Sequence, residues 1–240
     1  ILAEEGRRRV HGQVDSVKMM VGGLPAMPTN PPLNYTVTWS IDGLLNEYRD
    51  DCEVLIDSEV QTVKGMEGLE EVSFKWLPGE ELEAFYTSGG AAHTINAMKA
   101  QGVKDCSYKT IRYKGHRDTV RFLIRNAGLS DECLERVFKQ GCGEDAKDVI
   151  LLKVEVVSGD LAWSKEIIIG HDLKFSGMQK ATAFPICSVA SLMAEGYFDD
   201  RKEERRGYHK RLPIVLNYND VPSDKFKEKL QTLGLSIDNS

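Results

Sequence analysis

The stretch Cys52-Glu53-Val54-Leu55-Ile56-Asp57-Ser58-Glu59-Val60-Gln61-Thr62-Val63, followed beyond Gly65 and Gly68 by Glu70-Glu71-Val72-Ser73-Phe74-Lys75-Trp76-Leu77, decides the fold. Both runs alternate apolar with polar residues or are rich in β-branched ones, the period-2 signature of half-buried strands, and the glycines between them mark a turn. The reading is two antiparallel strands, residues 52–63 and 70–77. A second pair, residues 148–157 and 163–170, flanks Ser158-Gly159-Asp160, a strong hairpin signal. Hairpins point to an α+β domain rather than a doubly wound α/β fold. The expectation is a mixed, largely antiparallel sheet with helices mainly on one face.

Outward from these hairpins, residues 1–9 read as the end of a helix and residues 14–21 as a strand that Gly22-Gly23 breaks. The proline-rich residues 25–32 cannot be regular helix and form a loop. Ser40 is a credible N-cap for a short helix with Leu44, Leu45 and Tyr48 on one face. After Arg112 the period changes to helical: Val120, Leu123, Ile124 and Ala127 share a face, Arg117, Arg121 and Arg125 another, and Gly128 is a stop. Thr182-Ala183-Phe184-Pro185 suggests a helix start with proline in the first turn and Ile186, Val189, Ala190 and Met193 inward. The charge-dense residues 199–207 read as an exposed loop. Pro222-Ser223 opens a last helix with Phe226, Leu230 and Leu233 on one face.

Lys109-Thr110-Ile111-Arg112-Tyr113-Lys114-Gly115-His116 carries the most chemistry, placing a fixed cation and a titratable imidazole at a strand-to-helix junction. Arginine offers a planar fork that matches a carboxylate, and histidine changes protonation near neutral pH. A substrate carboxylate held between Arg112 and the first free N–H groups of the helix would suit both. A structural arginine beside a helix-start histidine fits the same octapeptide. Thr87-Ser88-Gly89-Gly90 is a turn of small residues where a ligand could approach the backbone.

These segments occur in one order with Gly22-Gly23-Leu24-Pro25, the run Asn34-Tyr35-Thr36-Val37-Thr38-Trp39-Ser40-Ile41-Asp42-Gly43-Leu44-Leu45-Asn46-Glu47-Tyr48, and Leu82-Glu83-Ala84-Phe85-Tyr86. In that order they resemble the C-terminal, catalytic half of the saccharopine dehydrogenase-like family, and look closest to the lysine 6-dehydrogenases within it. The resemblance spans residues 14–237. It implies oxidation of a carbon bearing an amine, with NAD or NADP as cofactor and a small amino acid as substrate: the side-chain amine of lysine, or the secondary amine of saccharopine or carboxyspermidine-type relatives. It also implies Arg112 as carboxylate anchor, His116 as the proton-handling catalytic residue, and Trp39, Tyr48 and Thr87 as pocket-lining residues. Ile111 and Lys114 depart from the family's usual leucine and proline, and Lys114 adds a charge.

Family members begin with a dinucleotide-binding domain, whereas this chain has no G-x-G-x-x-G after a strand, no phosphate loop and no G-x-S-x-G elbow. With Ile1 as its first residue, the chain reads as a piece of a longer protein. Residues 1–205 are expected to form the substrate and oligomerisation domain, and residues 206–240 an extension returning towards the absent dinucleotide domain.

Composition narrows the remaining classes. A net charge of −6 and a pI near 5.5 argue against a nucleic-acid binder. No apolar run approaches the ~18 residues that would cross a bilayer. The five cysteines are scattered without a C-x-x-C pair, so reduced thiols and a cytoplasmic setting are the default and no metal site is suggested. Cys106 near the Arg/His segment would have to serve as nucleophile in a competing hydrolase reading, for which no orienting partner can be named. A non-catalytic ligand-binding or dimerisation module is the other competing class. A sheet with one open face commonly buries it by association, so a homodimer or higher oligomer is expected.

Overall fold

The computed structural model describes residues 1–143, 147–198, 216 and 220–237. Eight strands among them form one sheet: β1 (Ser16–Pro25), β2 (Asp51–Ile56), β3 (Glu59–Lys64), β4 (Glu70–Val72), β5 (Leu82–Tyr86), β6 (Asp105–Tyr113), β7 (Asp148–Ser158) and β8 (Leu161–Gly170). The order is β3-β2-β6-β1-β7-β8. Strand β6 takes two partners end to end on one side. Leu55 of β2 lies opposite Cys106 near its start, and β5 runs beside its second half, with Tyr86 opposite Lys109 and Leu82 opposite Tyr113. The β1–β6 pair is parallel and the other pairings are antiparallel. The fold is therefore the expected α+β type with a mixed, mostly antiparallel open sheet.

Around the sheet lie α1 (Leu2–Arg9), α2 (Ile41–Arg49), α3 (Ala92–Ala100), α4 (His116–Arg121) continued by a π-helical turn (Phe122–Asn126), α5 (Asp131–Gly141), α6 (Gly177–Ala194) and α7 (Ser223–Thr232). Helices α1 and α3 pack with Val17, Cys106, Val154 and Val156. Helices α6 and α7 cover Ile150, Ile167 and Ile169. Helices α2, α4 and α5 gather around Tyr35, Tyr48, Phe85, Leu134 and Phe138. Alternation along β6 and β7 puts all three groups on one face. The opposite face carries Met20, Ile111 and Leu151 under Phe74 and, beyond them, Lys18, Lys153 and Glu166.

Several local expectations are corrected. Residues 52–63 are a hairpin rather than one strand, because Asp57 and Ser58 turn the chain with φ of 50° and 67°. Two successive left-handed residues give the tight turn that matches strand twist, here without the glycine that usually announces it. Of residues 70–77 only Glu70–Val72 is strand, and it pairs with β5 instead of residues 52–63. The Ser73 carbonyl accepts from Lys153 Nζ at 3.0 Å and Lys75 N donates to Glu166 at 2.9 Å, which draws this segment across the open face. Strand β1 does not stop at Gly22. Both glycines pair with β7, and a Cβ at Gly22 would fall 2.6 Å from the Ile111 carbonyl oxygen, so close backbone approach is the purpose of Gly22.

Helix α6 begins earlier than expected and carries Pro185 in its interior. A capping box of Ser176 and Gln179 starts it, and the Asp148 carboxylate accepts from Gly177 N and Met178 N at 2.6 and 2.8 Å. Its buried face is Phe184, Ser188 and Leu192, whereas Ile186 and Met193 are exposed. Helix α7 buries Phe226 and Leu230 against α6, while Leu233 is exposed. Helices α3 and α5 stand where the sequence analysis assigns none. The arginine face after β6 is as expected, Arg117, Arg121 and Arg125 all reaching Glu67. The charge-dense stretch 199–207 and the boundary between residues 205 and 206 lie outside the described residues. No helix among the described residues is long and apolar enough to cross a membrane.

Candidate functional site

Strand β6 hands over to α4 through Gly115, whose φ of +91° is a left-handed conformation that glycine adopts freely. This junction sets Arg112 on the helix-covered face and His116 at the first position of α4. The Arg112 guanidinium is 2% exposed. Its Nε donates to the Tyr48 hydroxyl at 2.9 Å, and its Nη1 donates to Thr110 Oγ1 at 3.1 Å and to the Ile111 carbonyl at 2.8 Å. It lies 4.9 Å from the Tyr35 ring centre and 5.7 Å from that of Tyr48, within cation–π range. Arginine stays protonated in such surroundings, so a full positive charge sits inside an aromatic box.

His116 is wholly buried, with Nδ1 2.6 Å from the Leu33 carbonyl and Nε2 2.9 Å from the Tyr48 hydroxyl. The partners fix the protons. A carbonyl only accepts, so Nδ1 carries the hydrogen and Nε2 accepts. Arginine only donates, so the Tyr48 oxygen receives Arg112 Nε–H and passes its own hydrogen to His116 Nε2. Burial, reinforced by the charge of Arg112, holds the imidazole near a pKa of about 3, and burial holds the Tyr48 phenol above its ordinary value. His116 is thus neutral at physiological pH with both ring nitrogens engaged.

Trp39 joins the cluster through Tyr35, its Nε1 donating to the Tyr35 hydroxyl at 3.2 Å. Gly43 leaves room for that indole, since a Cβ there would fall 2.6 Å from its ring. Thr87 is buried with no hydrogen-bond partner at Oγ1. Its turn is tied to the end of α2, Ser88 N donating to the Glu47 carbonyl at 3.0 Å and Ser88 Oγ to the Asn46 carbonyl at 3.3 Å. The structure therefore joins Arg112, Tyr48, His116 and Trp39 in one network and sets Thr87 on the loop beside it.

The helix N-terminus expected to hold a substrate carboxylate is occupied by the chain's own Glu83. Its two oxygens accept from Gly115 N at 3.0 Å and Arg117 N at 2.7 Å, so those N–H groups are not free. Burial raises the pKa of Glu83 despite these bonds. Lys114, the departure from the family pattern, pairs on the surface with Glu71 and Glu81. Cys106 is buried between α1 and α3, its thiol pushed up to about 12 by burial, which suits a core residue and not a nucleophile. His171 is a turn histidine, its backbone N donating to the Asp148 carbonyl.

Sequence reasoning passed over Tyr35, Glu47, Glu83 and Tyr108. Glu47 is half-buried on the last turn of α2, and its charge acts on Arg112, Tyr35, Tyr48 and Tyr108. Burial raises its pKa, with Arg112 pulling the other way. An acid in the final helical turn opposes the helix dipole, and that local penalty was the available signal. Tyr108, two residues before Thr110 on the same face of β6, packs its ring against Gly90 and also lines a cavity of about 500 Å³. The cavity lies between the sheet and helices α1, α3, α6 and α7, and its wall includes Gly90, Thr94, Leu152, Met178 and Phe226.

Among the described residues no three His, Cys, Asp or Glu side chains come together as a metal site. The start of α4, which follows the parallel β1–β6 pair, already holds the Glu83 carboxylate, so its N–H groups are not free for a pyrophosphate.

Residues 1–211 match the saccharopine dehydrogenase C-terminal domain family, and the chain belongs to that family. Among solved structures it is similar to the apo, histidine-tagged saccharopine dehydrogenase (L-Glu forming) from Saccharomyces cerevisiae. That match has a TM-score of 0.67 at 14% identity and covers 97% of this chain and 67% of the yeast chain. At this identity the structural likeness speaks for the fold.

Proposed function

We propose that this chain is the catalytic portion of an NAD(P)-dependent oxidoreductase acting on CH–NH or CH–NH2 groups, oxidising the side-chain amine of lysine. The observation that carries the reading is membership of the saccharopine dehydrogenase C-terminal domain family over residues 1–211. The lysine preference rests on the order of segments from Gly22 to His116. Saccharopine or a carboxyspermidine-type amine is the second reading, saccharopine being the substrate named for the yeast structural relative. The dinucleotide supplies the hydride acceptor and is held by a domain outside this chain. The isolated chain should be inactive.

In this reading Arg112, expected to anchor the substrate's carboxylate, is sealed behind Tyr35 and Tyr48 and acts on the substrate's acidic end through its charge and not by direct contact, with Tyr48, Trp39 and Thr87 as the surrounding wall. His116 fixes the direction of the Tyr48 hydrogen bond and acts as a positioning residue. The protein would work in the cytoplasm as a homodimer or larger assembly, and exposed Leu173 and Ile186 offer apolar surface for such contacts. The test is NADH and NADPH formation by the full-length protein offered lysine, saccharopine and related amines. Turnover of one of them supports the reading, and no turnover with any rejects it.

A further inference from the structure

We infer that Glu47 is the group that receives the substrate's cationic amine and takes its proton; this deepens the amine-oxidation reading above and rests on it. Oxidation of an ammonium needs the nitrogen lone pair, and the lone pair is freed when an N–H bond breaks and its proton moves to a base. In the step assigned here the R–NH3⁺ nitrogen loses one proton to a Glu47 carboxylate oxygen, giving R–NH2 and a neutral carboxylic acid.

Four observations converge on this carboxylate. First, it is half-buried rather than sealed, unlike Arg112 and His116, so a ligand can reach it. Second, the positive charge of Arg112 on β6 acts on it, and among the described residues its own charge acts on the neutral Tyr35, Tyr48 and Tyr108 and on the Cys52 thiol of β2. Third, its backbone holds the Thr87-Ser88 turn, where Thr87 is 3% exposed and its hydroxyl lacks a partner. A buried hydroxyl without a hydrogen bond is costly, and a ligand placed between turn and helix would relieve it. Fourth, the turn tied to Glu47 runs on to Gly90, which packs on Tyr108 and with it lines the apolar cavity, so a molecule with an aliphatic stem and an amine head has complementary surroundings for each part. Burial has already raised the carboxylate's proton affinity, which suits a base that must hold a proton briefly.

The experiment compares lysine with norleucine, which keeps the stem and lacks the side-chain amine, as ligands of the full-length protein by calorimetry. Glu47→Gln should weaken lysine binding about tenfold or more and leave norleucine unchanged, since a charge-assisted contact is lost for one ligand alone. Glu47→Asp should restore part of the lysine preference. In turnover, Glu47→Gln should lower kcat by roughly 10²-fold and remove the acidic limb of the kcat/KM profile. Equal losses for both ligands, or a Glu47→Gln enzyme with an unchanged acidic limb, would overturn the assignment while an active wild type upholds the parent reading. A wild type inactive on every amine would overturn both.

Discussion

The Tyr48 hydroxyl accepts the Nε–H of Arg112 at 2.9 Å, and this bond joins a residue of α2 to one of β6 that lies 64 positions away. The same oxygen serves His116 at 2.9 Å, so one phenol orients a cation and an imidazole at once. Removing it leaves a buried charged donor and a buried acceptor without partners. Tyr48→Phe should therefore cost about 2–4 kcal/mol of stability, measured by urea unfolding, although the ring volume is kept. A change below about 0.5 kcal/mol would show that the network carries no stabilising weight.

His116 gives a pH signature. Its folded pKa of about 3 lies below the ordinary value near 6.5, so the unfolded chain takes up the proton first. The contribution of the neutral ring is fully present above about pH 6.5 and is lost as the pH falls towards 3, at up to about 1.4 kcal/mol per pH unit. Unfolding free energy for His116→Gln should depend less steeply on pH between these limits by that amount. Parallel curves for variant and wild type would mean that the imidazole is accessible to protons in the fold.

Where the sequence announced itself, local chemistry was sufficient. Ser158-Gly159-Asp160 turns β7 into β8 with Gly159 at φ +56°, and Ser40 caps α2 through the Gly43 amide at 3.2 Å, as the residues imply. What stayed hidden depends on partners far along the chain. The Asp57-Ser58 turn has no glycine, and the short reach of β4 is set by Lys153 and Glu166 on other strands. Pro185 suggested a helix start, yet Asp148 on β7 supplies an earlier one. In the site, Arg112, His116 and Tyr48 were legible as residue types, and their union was not, because burial is a property of the packed helices α2, α4 and α5.

Glu83 is the clearest long-range case, capping α4 from β5 at a separation of 34 residues from Arg117. Glu83→Ala would leave two amides at the start of a buried helix unpaired and should lower stability by about 2–4 kcal/mol. Hydrogen exchange at the Arg117 amide should accelerate at the same time. Unaltered protection there would show that another group holds the helix start.

Arg112→Lys keeps the charge and loses the fork, so one ammonium must replace donors that now reach Tyr48, Thr110 and Ile111. In the full-length enzyme KM for the amino-acid substrate should rise by about tenfold or more. Steady-state kinetics indistinguishable from wild type would take Arg112 out of substrate recognition.

The proposed chemistry is oxidation at a carbon that bears an amine. Full-length protein given NAD⁺ or NADP⁺ and lysine deuterated at its side-chain amine-bearing carbon, with saccharopine labelled at the same carbon in parallel, tests that claim most directly. Deuterium appearing on the nicotinamide ring from the labelled amine is the predicted result, and label retained in both amines after prolonged incubation would contradict it.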